Sequence, residues 1–245
     1  MQFGLPHAVE QPPNDAARTL GLAVDLGQPL ALYPGVARLV YSPEWVAAQD
    51  QAAAWMAEAG LRVERDAVGN VWGCLDGRNR QAAMVVTGSH VDSQNPGGRF
   101  DGALGVIAGI MALSELRERF GQPERTLAAV SLVEEEASRF PTANFWGSRA
   151  IIGRIAAEEP KRLRGYDGLT MAEAMRDAGL DAARIPEAKR EDIGTFVELH
   201  IEQGPFLERE NFPVGVVEAI TGYRQYLVTL EGAANHAGTT PMEGR

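Results

Sequence analysis

The sequence is poor in cysteine: Cys74 is the only one in 245 residues. That excludes an intrachain disulfide framework and any cysteine-rich zinc module, and it leaves Cys74 as a small, partly buried residue. Basic runs are also missing. The formal charge is −10 and no long Lys/Arg cluster occurs, so neither nucleic acid nor an anionic membrane is expected as a partner. An anionic substrate would need positive charge supplied locally, by a metal or a placed arginine. No stretch approaches about 18 uninterrupted apolar residues. The N-terminus has neither a basic n-region nor an apolar h-region, so a cytoplasmic location is expected. Internal repeats and low-complexity tracts are absent too. What remains is an ordinary globular composition, 45% apolar and 23% charged, enough for one large domain or one domain with part of another.

Residues 1–33 contain Pro6, Pro12, Pro13 and Pro29 and predict no more than a weakly ordered or short-helical lead-in. Ser42-Pro43-Glu44 then opens a helix, with Ser as N-cap, Pro in the first turn and an acid beside the positive dipole end. Apolar positions at helical spacing follow up to Gly60, which ends it. Residues 61–65 alternate like a strand, and 70–75 look like its hairpin partner. Residues 102–120 read as a helix in which Gly102, Gly105 and Gly109 permit close approach to a sheet. Thr170 and Glu173 form a capping box for another helix that closes at Gly179. Residues 181–192 are polar and loop-like, 203–210 predict a short helix, and 214–217 a strand. At Thr221-Gly222 a new alternating pattern begins, with a strand at 226–230. The expected organisation is a catalytic domain over 1–220 and the first strand and turn of a second domain over 221–245, incomplete at Arg245.

The chemistry-bearing residues sit behind short apolar runs. Ala83-Met84-Val85-Val86 leads to His90 and Asp92, Leu127-Ala128-Ala129-Val130-Ser131-Leu132-Val133 leads to Glu134-Glu135-Glu136, and Phe196-Val197-Glu198-Leu199 leads to His200. In an open α/β sheet, ligands gather where the carboxyl ends of buried strands open into a crevice. Imidazoles and carboxylates delivered there by three strands are what a divalent-metal hydrolase needs. His90 and Asp92, two apart, share a face at a strand end, so His90 can bind metal while Asp92 holds the far imidazole nitrogen. The turn through Gly97-Gly98 presents Asp101 at the start of the next helix, where a carboxylate can bridge two cations. Of Glu135 and Glu136, one can bind metal while its neighbour acts as general base. Taken singly, these features have blander explanations: a histidine near a strand end finds a carboxylate easily, an acidic run is ordinarily a solvated face, and His236 between Asn and Gly is ordinarily a turn residue. It is the convergence that points to a site.

Five segments together resemble a known family. They are Gly88-Ser89-His90-x-Asp92, Gly97-Gly98-x-x-Asp101-Gly102, Glu135-Glu136-x-Ser138-Arg139-Phe140, Glu198-Leu199-His200-Ile201-Glu202-Gln203-Gly204-Pro205, and Asn235-His236-Ala237-Gly238-Thr239-Thr240-Pro241-Met242. In this order they resemble the carbamoylase and allantoate amidohydrolase branch of the M20 metallopeptidases. Tyr41-Ser42-Pro43-Glu44-Trp45, and Ser138-Arg139-Phe140-Pro141 followed by Phe145-Trp146-Gly147-Ser148, look most like allantoate amidohydrolases. The resemblance implies an α/β catalytic domain, a mixed sheet flanked by helices, followed by the start of a ferredoxin-like lid and dimerisation domain. It implies two divalent ions (Zn or Mn) in a full-length subunit. One would be held by His90, Asp101 and His200, the other by Asp101, Glu136 and a histidine further downstream than Arg245, so that one ion is expected in this chain. Glu135 matches the general base and Asp92 the histidine-orienting acid. Gln203 and Gln225 match substrate contacts, and His236 matches a lid histidine that polarises the scissile carbonyl, in a homodimer. The implied reaction is cleavage of the ureido C–N bond of allantoate, a small anionic substrate, with release of ammonia and carbon dioxide. The alternatives are an N-carbamoyl-L-amino-acid hydrolase or β-ureidopropionase and, from another class, an inactive metal-binding fragment.

Overall fold

The computed structural model describes residues 35–245, apart from positions 223, 225, 227, 230 and 245. The expectations for residues 1–33 and for Gln225 lie outside the described residues. The chain divides into two compact units at Ile201/Glu202.

The first unit is built on five strands: β1 (Arg62–Arg65), β2 (Val71–Leu75), β3 (Met84–His90), β4 (Leu127–Leu132) and β5 (Ile193–Val197). Their order across the sheet is β1-β2-β4-β3-β5. β1–β2 and β2–β4 pair antiparallel, whereas β4–β3 and β3–β5 pair parallel. The sheet is therefore mixed, as expected. The parallel half is reached by a crossover through helix α2 (Ala103–Phe120), because parallel neighbours cannot be joined by a tight turn.

Alternation along the strands distributes side chains to two apolar layers. On β4, Ala129, and Val133 just beyond it, face one cluster with α1 (Pro43–Glu58) and α2, while Ala128, Val130 and Leu132 face a second cluster with Trp72, Val86 and Ile151. α1 starts as read: the Ser42 side chain accepts from the Trp45 N–H, with Pro43 in the first turn. It buries Trp45, Ala48, Ala52 and Met56. Gly73 of β2 leaves the room Met56 needs, since a Cβ there would lie 2.8 Å from its Cγ.

Helices α3 (Trp146–Ile151), α4 (Glu159–Arg162) and α5 (Met171–Asp177) complete the described helices of this unit. α5 carries the expected Thr170/Glu173 capping box, and Gly179 follows it in the left-handed region at φ 80°. Residues 181–192 are more ordered than their polarity suggested. A 3-10 helix, Ala182–Ala188, is capped by the Asp181 carboxylate and buries Ile185 and Ala188, two apolar residues three apart, the repeat of a 3-10 turn.

In the second unit the described residues contain the four-residue helix α6 (Phe206–Arg209), shorter than the 203–210 expected, and a 3-10 turn at Met242–Gly244. The strand expected at 214–217 is not formed, and the described positions of 226–230 also lie outside any strand. Alternating apolar character makes a strand only when a neighbouring ladder takes up its N–H and C=O groups, and no described residue pairs with either stretch.

Candidate metal centre

The three parallel strands β4, β3 and β5 are neighbours, so their carboxyl ends open on one edge of the sheet. His90 is the last residue of β3; Glu134, Glu135 and Glu136 follow β4; His200 follows β5. Asp101 comes from the turn into α2, and the left-handed N-cap Gly102 (φ 64°) lies beneath the His90 ring. A Cβ on Gly102 would stand 2.5 Å from His90 Nε2. Gly105 is equally constrained, because its Cβ would meet the Leu199 carbonyl at 2.4 Å. These two glycines let the helix approach closely enough to deliver Asp101 between the histidines.

His200 Nε2 lies 3.1 Å from Asp101 Oδ1, and His90 Nε2 lies 4.0 Å from the same oxygen. One ligand atom from each of the three residues falls within 4.8 Å of the others. Ligands about 2.0–2.2 Å from a tetrahedral cation are separated by roughly 3.3–3.6 Å, so the set fits a divalent ion with small adjustment. The imidazoles lie 6.1 Å apart and nearly parallel. Each ring's Nδ1 is taken by a backbone carbonyl, that of Asp92 for His90 (2.9 Å) and that of Ile201 for His200 (3.0 Å). Such a bond leaves Nε2 as the ligating nitrogen.

Asp92 was expected to hold the far nitrogen of His90 with its side chain. The hydrogen bond comes instead from its carbonyl. The carboxylate stands 3.6 Å from Nδ1, and its Oδ2 accepts from the Glu136 N–H. Asp92 is fully buried. Burial lowers the proton affinity of His90, but the charges of Asp92, Glu135 and Glu136, with the Asp92 carbonyl bond, outweigh it and leave the imidazole raised. Glu135 Oε2 reaches within 3.6 Å of His90 Nε2. Its carboxyl is raised, chiefly by burial and then by neighbouring acids, with His90 opposing. Glu136 turns outward from this set: its Oε2 accepts from Gln94 Nε2 at 2.9 Å.

Several residues in the site were given no role of their own by the sequence. Glu134, read as part of an acidic run, is wholly buried. Its Oε1 accepts from the Phe140 N–H, its carbonyl accepts from the Trp146 N–H, and its φ is 48°. Burial, and then the Asp92 charge, push its carboxyl up to about 8. Left-handed backbone at Glu134 and at Ala137 (φ 50°) brackets the Glu135-Glu136 pair; strain of this kind, of order 1–3 kcal/mol per residue, is retained where surroundings enforce it. Asn70, also fully buried, fixes the end of β4 by accepting from the Val133 N–H at 3.0 Å. Ser89 donates to Glu198 across the ends of β3 and β5. A buried polar residue inside an otherwise apolar stretch is the clue that could have flagged Ser89.

Of the remaining expected site residues, Gln203 and His236 belong to the second unit. Gln203 is exposed with φ 57°. His236 is exposed in a turn, its Nδ1 accepting from the N–H groups of Gly238 (3.1 Å) and Thr239 (3.2 Å).

This geometry accords with comparison to known proteins. Peptidase family M20/M25/M40 matches residues 86–242. The chain belongs to the M20 family. It is 46% identical to the allantoate amidohydrolase of Bacillus subtilis, over 86% of this chain and 51% of that protein. It is 42% identical to the N-carbamoyl-L-amino acid amidohydrolase of Geobacillus stearothermophilus, over 86% of this chain and 52% of that one. A hydantoinase/carbamoylase family amidase from Burkholderia ambifaria superposes with a TM-score of 0.68 at 33% identity, covering 80% of this chain and 47% of that structure. The chain thus spans about half the length of the curated relatives it matches. Among the described residues, no helix is long and apolar enough to cross a membrane.

Proposed function

We propose that the chain carries the catalytic half-site of a metal-dependent amidohydrolase that cleaves the ureido C–N bond of allantoate, releasing ammonia and carbon dioxide. The observation that carries this is the convergence of His90 and His200, from the ends of β3 and β5, with Asp101 from the turn into α2, and with Glu135, from beyond β4, 3.6 Å from His90. His90, Asp101 and His200 would hold one divalent ion, Zn or Mn. Asp101 and Glu136 would contribute to a second in a version that supplies another histidine. A cation there would polarise the scissile carbonyl and lower the proton affinity of water.

Glu135 is the general base: it takes the proton of the attacking water and delivers it to the leaving nitrogen. Burial raises its proton affinity above that of an ordinary carboxylate, the direction that favours taking up the water proton. Asp92 and its carbonyl orient His90. Gln203 and Gln225 contact substrate, and His236 stabilises the oxyanion, a contribution of a few kcal/mol for a well-placed donor. Residues 1–220 act as the catalytic domain and 221–245 as the start of a lid, in a cytoplasmic homodimer.

The carbamoylase relative at 42% identity supports a second reading, hydrolysis of N-carbamoyl-L-amino acids. Both are tested by joining this chain to the half that its relatives possess and measuring ammonia release with Mn or Zn. Allantoate should be turned over with a kcat/KM at least tenfold above N-carbamoyl amino acids. The reverse ranking would transfer the assignment to the second reading, and no turnover of either would reject both.

A further inference from the structure

The acids around the site need a compensating cation, and the structure places one where no sequence motif pointed. Arg38 is 4% exposed. Its Nε donates to the Val91 carbonyl at 2.5 Å, its backbone N–H donates to Ser93 Oγ at 3.0 Å, and its carbonyl accepts from the Ser93 N–H at 3.2 Å. Next to it, Val36 and Gly97 form an antiparallel bridge with paired backbone bonds of 2.8 and 3.0 Å. The segment 36–38 therefore runs as a splint along 91–97. These three bonds fall on the two residues that flank Asp92. Burial lowers the proton affinity of the guanidinium and the Asp92 carboxylate opposes this, so the two buried charges compensate one another. Arg139, whose charge also bears on Glu134, is committed to the Val40 carbonyl and to Asp167.

The consequence runs through the backbone. Asp92 offers the carbonyl that holds His90 Nδ1, and its position depends on the peptide units on either side. We propose that Arg38 is a positioning residue for the cation site: it clamps the 91–93 segment so that the Asp92 carbonyl fixes the His90 imidazole with Nε2 turned toward Asp101 and His200. This rests on the metal reading of those three residues. Lysine would be an incomplete substitute, since an ammonium is a point charge without the planar fork of a guanidinium.

The test uses the 245-residue chain and Co(II) as probe, with affinity followed by absorption titration and the His90 tautomer by 15N shifts. Arg38→Gln should weaken Co(II) binding about 10–100-fold, the range for groups that orient ligands, and should shift His90 away from the Nδ1–H tautomer. Arg38→Lys should recover part of both. Met56→Ala, a core truncation beneath α1, should lower the urea midpoint while leaving affinity and tautomer unchanged, which a merely structural role for Arg38 would not distinguish. If Arg38→Gln fails to fold by circular dichroism, Arg38→Lys decides: a loss of about threefold to tenfold is expected, and affinity within about twofold of wild type overturns the proposal. The same result in a folded Arg38→Gln variant also overturns it. His90→Ala separates the two levels of inference. If it leaves wild-type Co(II) binding intact, the metal reading itself fails and the Arg38 role with it.

Discussion

The two halves of one sheet differ sharply in what their ends carry. In the antiparallel half, β1 and β2 end in solvated ion pairs: Arg62 with Glu64 and with Asp76, and Arg65 with Asp50. These are partly to fully exposed partners, worth little individually. In the parallel half, the carboxyl ends of β4, β3 and β5 carry His90, Asp92 and Glu134, all essentially inaccessible to water, with Glu135 and His200 partly open beside them. Antiparallel neighbours alternate direction and scatter their ends to both edges. Parallel neighbours stack their ends on one edge, so three loops can contribute polar groups to a single place. Burying those groups is unfavourable unless each is bonded or charge-compensated: the Asp92 carbonyl bonds His90 Nδ1 and the Phe140 N–H bonds Glu134.

The largest expected effect that would break this contrast concerns Glu135. In a version joined to the relatives' second half, Glu135→Gln should lower kcat on allantoate about 10²–10⁴-fold with metal content near wild type, whereas Glu136→Gln should lose metal. Steady-state kinetics with elemental analysis would show it, and swapped outcomes would exchange the two roles.

A smaller effect, of a few kcal/mol, should appear in stability against pH. Glu134 has a folded value near 8 against an ordinary 4.5, so its contribution is full below about 4.5 and is lost as pH rises through about 8. At about 1.4 kcal/mol for each tenfold change in proton affinity, the metal-free Glu134→Gln variant should match wild type in urea midpoint at pH 4.5 and exceed it progressively toward pH 8. A constant gap across that range would show that the buried carboxyl is not the source.

Two glycines separate backbone conformation from proximity to the site. Gly102 and Gly121 both have left-handed φ, 64° and 71°, but only at Gly102 would a Cβ strike His90. Gly102→Ala should weaken metal binding about tenfold or more as well as destabilising the fold. Gly121→Ala should cost roughly 1 kcal/mol and leave metal affinity alone. Equal effects of the two on Co(II) titration would remove the special position of Gly102. The smallest effect belongs to the antiparallel half: Arg62→Met should change stability by less than about 0.5 kcal/mol in urea unfolding and metal binding not at all.

How much of this was visible in the chain depends on the range of the interaction involved. His90, Asp101 and His200 were legible because each follows an apolar run or a glycine turn, signals that span a few residues. The Ser42 cap, the Thr170/Glu173 box and the β1–β2 hairpin were legible for the same reason. Arg38, Asn70 and Glu134 were not. Their roles come from partners 53, 63 and 6 residues away, and nothing local marks an arginine that will splint a distant segment. Likewise the apolar alternation at 214–217 is a strand pattern without a ladder, and the 3-10 helix at Ala182–Ala188 is held by a short i,i+3 repeat hidden among polar residues.

The claim at the centre is that the parallel strand ends form a divalent-metal site. The most direct measurement is a crystal of this chain grown with Zn(II), with the ion located by anomalous scattering. One ion should lie within about 2.0–2.2 Å of Nε2 of His90, Nε2 of His200 and a carboxylate oxygen of Asp101. An ion bound elsewhere, or none at these three residues at saturating Zn(II), would contradict the account.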